Sequence, residues 1–336
     1  MRPVPSDTRI LHHEASMKLQ SRTMWVVVII VLILSSTAFP AEKAKIILDT
    51  DIGDDIDDAY ALALALSSPE LEILGVTTAY GATDQRAKIV SRMLYDTGRD
   101  DIPVVAGVKT GDAPFAQYGW AEWFRHSQIR KQDVVDFYLE QLNRYPGQIT
   151  LVAIGPLTNI GALIDRDPAA FRKSKQVVIM GGNMKFTLHD LELGKSKDVI
   201  AEYNITKDVA AAKKLFAAGV PITMAGLDAT QMLKLDETKR EKLFRKSSPL
   251  TDGLTVLYHL WGQTTPTLFD PMAVAMVIDP TMSRTEEMHV DIDDAGVTRN
   301  DPAKSPNARV CFDPQIEKFF SFVIQRLRSQ SLQRLD

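Results

Sequence analysis

Short apolar runs alternate with amphipathic stretches along the chain from Ala44 onward. The amphipathic stretches carry apolar residues at helical spacing, whereas the runs are rich in β-branched residues, as strands buried on both faces are. The helical stretches lie at Arg86–Tyr95, Val134–Leu142 and Val209–Phe216, and the runs at Ile46–Leu48, Leu71–Val76, Ile102–Val105, Ile149–Ile154, Val177–Met180 and Ile222–Met224. The alternation predicts an α/β fold with an open, mostly parallel sheet flanked by helices.

The N-terminal region has a pattern of its own. A continuous apolar run, Met24–Leu34, follows two basic residues and precedes a group of small residues. This order is typical of a secretory signal peptide, and the run is shorter than the about 20 apolar residues of a membrane span. Residues 1–38 are therefore predicted to be a signal peptide, with Met17 as an alternative start and an uncleaved anchor as the alternative role. The folded domain is predicted to span 42–336 and to be exported to the periplasm or secreted.

Composition and charge narrow the function further. The 336 residues carry a formal net charge of −4, with acidic and basic residues mixed along the chain. Because no basic run is interleaved with aromatic residues, a nucleic-acid partner is not expected. Cys311 is the only cysteine, which excludes an intramolecular disulfide and predicts a small buried side chain there.

The turn after the first apolar run, Asp49–Ala59, is unusually acidic, with six carboxylates. Like charges so close raise each other's pKa, and a divalent cation with oxygen ligands removes the repulsion. An ordinary helix N-cap needs only one or two acids, and the spacing is not that of an EF-hand. Two interpretations remain, a metal site at the carboxyl edge of the sheet or a phosphatase site with Asp49 as nucleophile and Asp51 as acid.

The same turn resembles that of the inosine–uridine-preferring nucleoside hydrolases, in which a strand leads into Asp-x-Asp-x-Gly and then Asp-Asp-Ala. The chain has Asp49-Thr50-Asp51-Ile52-Gly53, two additional residues and Asp57-Asp58-Ala59, a spacing that resembles a bacterial exported subgroup. Further segments that resemble the family follow in order at Gly75–Thr78, Ala153–Asn159, Val177–Gly182, Ala201–Ile205, Pro221–Asp228 and Asp270–Ala275. This ordered set favours the family over the phosphatase. The resemblance implies a Rossmann-like sheet and hydrolysis of ribonucleosides to free base and ribose.

The resemblance also implies a calcium site. Its ligands would be the carboxylates of Asp51, Asp58 and Asp270 and the backbone carbonyl of Ile154. Such a set leaves room for a water and two substrate hydroxyls in a shell of six to eight oxygens. Asp51 would also be the general base that activates this water. Asp270-Pro271 has an alternative interpretation as a helix N-cap.

The sugar would contact three other side chains. By resemblance, Asp57 accepts a ribose hydroxyl, and Glu202 and Asn204 bind the far side of the sugar, including its 5′-hydroxyl. Asn204 has an alternative role as a helix cap. Asn159 is predicted to cap a helix and to take no part in catalysis. Asn183 is a further candidate for the pocket.

The chain departs from the family pattern at the position that contacts the base. Phe269 stands where relatives that accept pyrimidines and inosine have a histidine, and phenylalanine cannot donate a proton to the leaving group. Purine-selective relatives carry a tryptophan there, so Phe269 is predicted to stack on a purine, with Trp120, Trp123 or Phe124 as a second wall. The alternative places Phe269 in the core beneath a lost pocket. His126 is the candidate for a relocated acid.

Two more departures concern the sugar. Ala82 stands where the family usually has Asn or Asp, with Thr83 or Asp84 as substitutes, and the asparagine that many relatives carry upstream of Glu202 has no match. The resulting hypothesis is a calcium-dependent, purine-leaning nucleosidase that forms a dimer or tetramer. The alternatives are a non-catalytic, calcium-dependent riboside-binding protein and a metal-dependent phosphohydrolase.

Overall fold

The computed structural model describes Met1 and residues 42–125, 128–192 and 194–334. Lys43–Asp336 form one compact unit. His126 and, apart from Met1, the predicted signal segment lie outside the described residues. Within the described ranges no helix has the length and apolar character needed to cross a membrane.

Eleven strands occur in the part of the chain that the structure describes. They are β1 (Ala44–Thr50), β2 (Leu71–Thr78), β3 (Val104–Ala106), β4 (Ile129–Arg130), β5 (Ile149–Ala153), β6 (Gln176–Met180), β7 (Ile222–Ala225), β8 (Ser283–Met288), β9 (Val290–Ile292), β10 (Thr298–Asn300) and β11 (Ala308–Pro314). Nine of them form one sheet in the order β4-β3-β2-β1-β5-β6-β7-β11-β8. Neighbours in this sheet are parallel except β11 and β8, and β9 and β10 form a separate antiparallel pair.

The helices connect these strands. They are α1 (Asp57–Leu66), α2 (Thr83–Asp96), α3 (Tyr118–Ala121), α4 (Val134–Arg144), α5 (Thr158–Arg166), α6 (Pro168–Phe171), α7 (Tyr203–Lys207), α8 (Val209–Ala217), α9 (Leu227–Thr230), α10 (Glu237–Phe244), α11 (Pro249–Trp261), α12 (Phe269–Ile278) and α13 (Ile316–Ser329), with a 3₁₀ turn at Pro280–Met282.

The core lies on both faces of the sheet. Side chains alternate along β1, so that Ile46 and Leu48 pack into one apolar cluster and Ile47 into the other. A strand covered on both faces needs apolar residues at every position, which is why the buried strands appear as continuous runs in the sequence. The predicted α/β fold and mostly parallel sheet are confirmed. The antiparallel edge formed by β8 and β11 was not predicted.

The strand order fixes where a ligand can bind. From β1 the chain winds outward to β2 and β3 on one side, and β5, β6 and β7 lie on the other. Open α/β sheets bind ligands at such a reversal, beyond the carboxyl ends of the strands. Asp51 follows β1 and Ile154 follows β5, so the reversal brings these two residues to the same edge.

Candidate active site

A buried arginine shapes the acidic turn between β1 and α1. Arg86, on α2, donates from its guanidinium to the backbone carbonyls of Asp51, of Ile52 at 3.0 Å and of Tyr80 at 2.8 Å. The same group forms an ion pair of 2.6 Å with the carboxylate of Asp54. The sequence pattern does not single out Arg86, because one arginine on an amphipathic helix usually lies in solvent.

Three carboxylates converge where α1 packs against α12. One oxygen from each of Asp57, Asp58 and Asp270 lies within 4.8 Å of the others, and all three side chains are buried. The backbone N–H of Asp270 donates to Asp57 at 3.2 Å, and the hydroxyl of Thr50 donates to Asp58 at 2.5 Å. These two hydrogen bonds offset only part of the negative charge of the three carboxylates.

The pKa values of the three carboxyls show that the cluster lacks a compensating positive charge. Burial raises the pKa of the Asp57, Asp58 and Asp270 carboxyls well above their ordinary value, and neighbouring carboxylates raise it further. Three buried acids that repel one another fit a divalent cation, since carboxylate oxygens are the ligands that Ca²⁺ and Mg²⁺ prefer. The residues present therefore fit a metal. Asp270 lies inside α12, whose N-cap is Leu268, so the alternative role of Asp270 as a cap is not supported.

Asp51 lies outside this group of three but lines the same cavity. Burial raises its pKa to about 7, and the positive charge of Arg86 acts in the opposite direction. Gly155 allows the close approach of β1 and β5 here, because a Cβ at that position would lie 2.7 Å from Oδ1 of Asp51. Asp57 therefore joins Asp58 and Asp270 in the tightest group of carboxylates, and the charge of Asp51 acts on all three.

The opposite wall is built by the start of α7. Glu202 is the N-cap of this helix, and its carboxylate accepts from the backbone N–H groups of Asn204 at 2.9 Å, Ile205 at 3.1 Å and Gly182 at 3.1 Å. The amide of Asn204 donates at 3.1 Å to the carbonyl of Ile154. Asn204 therefore does not cap the helix. A carbonyl oxygen has two lone pairs, so that of Ile154 can accept a further partner.

These elements enclose a cavity of about 500 Å³. Phe269 and Tyr203 are the aromatic residues among its described lining, and Phe269 is half-buried, so its alternative placement in the core is not supported. Seven of the described lining residues are acids, namely Asp51, Asp54, Asp55, Asp57, Asp58, Glu202 and Asp270. Lysine, arginine and histidine are absent from the described lining. The cavity thus combines a strongly negative floor with an aromatic wall.

The prediction that Trp120, Trp123 or Phe124 forms a second aromatic wall of the cavity is wrong. Trp123 is 74% exposed, Trp120 packs with its ring centroid 4.3 Å from the guanidinium of Arg92, and Phe124 contacts Tyr95 at a centroid distance of 5.4 Å. None of the three tryptophan and phenylalanine rings lines the cavity. They lie on a separate segment around α3, and the second ring in the cavity is supplied by Tyr203.

Asn183 also differs from its prediction. Its side-chain amide donates to the carbonyls of Phe186 at 2.7 Å and Ile200 at 2.9 Å, and its oxygen accepts from the backbone of Lys185 and Phe186. With both ends of the amide occupied, Asn183 holds the loop after β6 and does not line the cavity.

The proposed substitutes for the Ala82 position do not reach the cavity either. The hydroxyl of Thr83 donates to the carbonyl of Gly107 at 2.9 Å, and Asp84 forms an ion pair of 3.3 Å with Lys109. Ala82 itself is buried before α2. Neither side chain is among the cavity residues.

Asp49 has a different environment from its acidic neighbours. Its Oδ1 accepts from the hydroxyl of Thr77 at 2.6 Å and from the amide of Asn159 at 2.8 Å. Asn159 also donates to Thr78 at 3.0 Å and accepts from Val108 at 2.9 Å, so its predicted capping role is wrong. Burial raises the pKa of Asp49 to about 6. Because Asp49 faces this network and not the cavity, the geometry does not support it as a phosphatase nucleophile.

Comparison with known proteins identifies the family of this chain. The family model of the inosine-uridine preferring nucleoside hydrolases matches residues 46–321. A pyrimidine-specific ribonucleoside hydrolase RihA from Citrobacter koseri is 31% identical over 313 residues, which are 84% of this chain and 97% of that protein. Uridine nucleosidase 1 from Arabidopsis thaliana is 30% identical over 275 residues, 75% of this chain and 79% of that protein.

A solved structure of a plant nucleoside hydrolase superposes with a TM-score of 0.74 at 27% identity, covering 85% of this chain and 99% of that one. The match to the family model includes the acidic turn, the strand ends around it and the Asp270 segment. The chain therefore belongs to the inosine–uridine-preferring nucleoside hydrolase family and is an N-ribosyl hydrolase that acts on ribonucleosides.

Proposed function

We propose that this protein is a calcium-dependent nucleosidase that prefers purines among the neutral nucleosides and uses Asp51 as its general base. The observation that carries the proposal is the convergence of Asp57, Asp58 and Asp270, within 4.8 Å of one another, on the floor of a cavity of about 500 Å³. A cavity of this volume is of the size that holds a small ligand.

The ligand set supports calcium over a smaller ion. Asp57, Asp58 and Asp270 would hold the metal, with Asp51 and the carbonyl of Ile154 at the edge of the same cavity. Ca²⁺ accepts six to eight oxygens in variable geometry, whereas Mg²⁺ demands a regular octahedron. When bound, such an ion supplies a water of lowered pKa and a template for the ribose hydroxyls.

The remaining groups would divide the work on the sugar. Asp51 lines the cavity beside the three-acid cluster and is placed to take a proton from the attacking water. Glu202 and Asn204 line the opposite wall and would contact the sugar there. Contacts with hydroxyls that strengthen as the ring flattens contribute to the rate.

The preference for purines rests on Phe269. Its half-buried ring lines the cavity, and stacking gives more contact with a fused double ring than with a single one. A purine can also take up a proton on its own ring nitrogen before it leaves, which matters where the described lining has no histidine. The similar proteins include a pyrimidine-specific hydrolase and a uridine nucleosidase, so pyrimidines are the necessary comparison.

Base release measured by chromatography tests the reaction. The calcium-loaded protein is incubated with inosine, adenosine, guanosine, uridine and cytidine, alongside Asp51→Asn and the control Asp136→Asn on the exposed face of α4. We expect release that is fastest with purines, lost in Asp51→Asn and unchanged in Asp136→Asn. Calcium-dependent binding of a riboside without any release would contradict the proposal and indicate a binding protein instead.

Metal content tests the cofactor. We expect one calcium per chain by elemental analysis, loss of activity on treatment with a calcium chelator, and recovery on addition of Ca²⁺ but not of Mg²⁺. Full recovery with Mg²⁺ alone would refute the calcium assignment and leave the hydrolase assignment intact.

We also propose that the protein is exported and forms a dimer or tetramer. Both proposals come from the sequence, the first from the Met24–Leu34 run and the second from the resemblance to the family. N-terminal sequencing of protein purified from its host is expected to begin near residue 39. Light scattering of the purified protein is expected to give twice or four times the mass of one chain.

A further inference from the structure

We infer that a basic groove between α10 and α13 docks this protein on the surface of a membrane that contains anionic phospholipids. The groove has a volume of about 680 Å³ and shares no described lining residue with the catalytic cavity. One wall is formed at α10 and the other by α13. The inference concerns where the enzyme is held, and it does not depend on the proposed reaction.

The charge of this groove is opposite to that of the whole chain. Its described lining contains four cations, Lys239, Lys242, Lys246 and Arg328, and one acid, Glu317. The chain as a whole has a formal net charge of −4. The positive charge is therefore concentrated in the groove, and a concentrated patch of this kind attracts an anionic surface.

The protein neutralises only part of this positive charge. Lys239 forms an ion pair with Asp236, and its ammonium lies 4.6 Å from the centroid of the Phe320 ring. Lys242, Lys246 and Arg328 form no ion pair with any residue that the structure describes. Lys242 and Lys246 are four positions apart, a spacing at which like charges on a helix repel each other. These three charges thus do not stabilise the fold and are available to a partner.

The basic residues lie in rows and not around one point. Lys239 and Lys242 lie three positions apart on one face of α10. Lys246 continues this face, because its backbone N–H donates to the carbonyl of Leu243 at 3.0 Å in a further turn. Arg328 lies on the facing wall. Two rows of cations suit the phosphates of several neighbouring headgroups better than a single small anion.

The floor between the two rows is apolar. Phe320 is buried and Ile324 is half-buried, both on α13. Phe320 is the only aromatic residue of the described lining, and because it is buried, bases have no exposed ring on which to stack, which argues against a single-stranded nucleic acid. A phospholipid can place its phosphate on the cations and its glycerol region on the apolar floor.

The sequence connects this chain with a membrane independently of the groove. The run Met24–Leu34, predicted to be a signal peptide or an uncleaved anchor, directs the chain to a membrane in either role. An acidic polypeptide would match the charge of the groove, but nothing in the chain connects it with such a partner. No described helix can cross a membrane, so the contact made by the groove would be a peripheral one.

Cosedimentation with vesicles tests the docking. Protein that begins at Glu42 is used, since the chain from Lys43 onward is one compact unit and the predicted signal segment is then absent. Vesicles of phosphatidylcholine alone are compared with vesicles of equal parts phosphatidylcholine and phosphatidylglycerol. We expect the partition coefficient to be about thirtyfold or more higher for the mixed vesicles, because each cation near an anionic surface contributes about fivefold. Raising the salt concentration from about 0.05 M to about 0.5 M should lower it by about tenfold.

Substitutions in the groove test its role. The triple variant Lys242→Gln, Lys246→Gln, Arg328→Gln should lower the partition coefficient for mixed vesicles by about thirtyfold. Glu317→Gln should act in the opposite direction and raise it by about twofold or more, because it removes the one acid of the described lining.

A second triple variant is the matched control. Arg144→Gln, Arg172→Gln, Lys175→Gln changes the net charge equally at exposed residues outside the groove. Its partition coefficient should stay within about twofold of the wild type, because charges distant from the docked surface are screened. Both triple variants should unfold at the urea concentration of the wild type and release base from inosine at its rate.

Three results would overturn the inference. The first is equal binding to neutral and mixed vesicles, and the second is an equal loss of binding in the two triple variants. The third is a different occupant, shown when poly-glutamate or free glycerol phosphate binds the wild type but not the groove variant, and neither kind of vesicle binds. The proposed function would stand in each case.

Discussion

The acidic turn holds buried carboxylates within ten residues of one another that have opposite surroundings. Asp49 faces the hydroxyl of Thr77 and the amide of Asn159, both donors supplied by the protein. Asp57 and Asp58 face one another and Asp270, three acids of the same charge. Oδ1 of Asp49 thus has donors within the chain, and its buried Oδ2 has no partner among the described residues, whereas the group of Asp57, Asp58 and Asp270 fits a cation from solution.

This difference separates structural acids from functional ones. A buried charge is tolerated when it is hydrogen-bonded or paired, and it is costly otherwise. Burial raises the pKa of Asp49 to about 6, and the hydrogen bonds from Thr77 and Asn159 act in the opposite direction. For Asp270, burial and the neighbouring carboxylates act together and raise the pKa well above its ordinary value. Acids that the fold leaves without sufficient donors are the ones to examine for a ligand.

The substitution with the largest expected effect breaks the group of Asp57, Asp58 and Asp270. Asp270→Asn should lower kcat by about a thousandfold, since a bound metal supplies several kcal/mol of transition-state stabilisation and loses a charged ligand. Base release from inosine measures the loss, and elemental analysis should show less than one calcium per chain.

The same variant is expected to change the stability of the fold in opposite directions with and without calcium. In chelated protein, Asp270→Asn should unfold at a higher urea concentration than the wild type, because it removes one of three mutually repelling acids. With calcium present the order should reverse. A variant that is less stable than the wild type under both conditions would mean that the cluster is a structural network like that of Asp49.

Arg86 holds the part of the turn between Asp49 and Asp57, and its loss should have the next largest effect. Arg86→Met leaves the carbonyls of Asp51 and Ile52 and the carboxylate of Asp54 without their donor, which should lower the free energy of unfolding by about 3–5 kcal/mol. Urea denaturation measures this change. Arg166→Met, at an exposed ion pair of 3.4 Å, is the control and should stay within about 0.5 kcal/mol of the wild type.

Asp49→Asn should have a smaller effect that does not depend on metal. The amide oxygen of the new residue can still accept from Thr77 and Asn159, but its NH2 group takes the place of the buried Oδ2, for which the described residues offer no hydrogen-bond partner, so the free energy of unfolding should fall by about 1–3 kcal/mol. The same loss is expected with and without calcium, and the calcium content should remain unchanged. A loss confined to calcium-loaded protein would place Asp49 in the metal site after all.

Tyr138→Phe should give the smallest effect of the series. The hydroxyl of Tyr138 lies 2.7 Å from that of Thr77, at the outer end of the Asp49 network. Its removal should cost about 1 kcal/mol of unfolding free energy and leave turnover of inosine unchanged. A large loss of turnover would show that the network supports catalysis and not only the fold.

The predictable parts of this molecule are those governed by local pattern. The buried strands β5, β6 and β7 are apolar at all but one position, and β1 contains the apolar run Ile46–Leu48, so the runs predict these strands well. The edge strand β8, with sequence Ser-Arg-Thr-Glu-Glu-Met, is polar and partly exposed, and no such run marks it. An edge strand that is partly exposed does not need apolar residues, so its sequence resembles that of a loop.

The site was predictable to a similar extent. The crowded acids and the ordered segments indicate the metal cavity, because their chemistry is local to each motif. The network contact of Asn159 with Asp49 and the burial of Arg86 depend on neighbours that are distant in sequence. The aromatic residues near α3 were misplaced for the same reason, since a ring in a loop carries no signal of the surface that it contacts.

The hydrogen bond from the backbone of Asp270 to Asp57 joins residues 213 positions apart. Contacts of such long sequence separation form late in folding, because loop closure must precede them. During synthesis the acidic turn leaves the ribosome long before Asp270 is made, so a nascent or truncated chain has its acids but not its complete ion site. A metal ion at this site would therefore stabilise only the finished protein, and its concentration is expected to affect the last step of folding rather than the first.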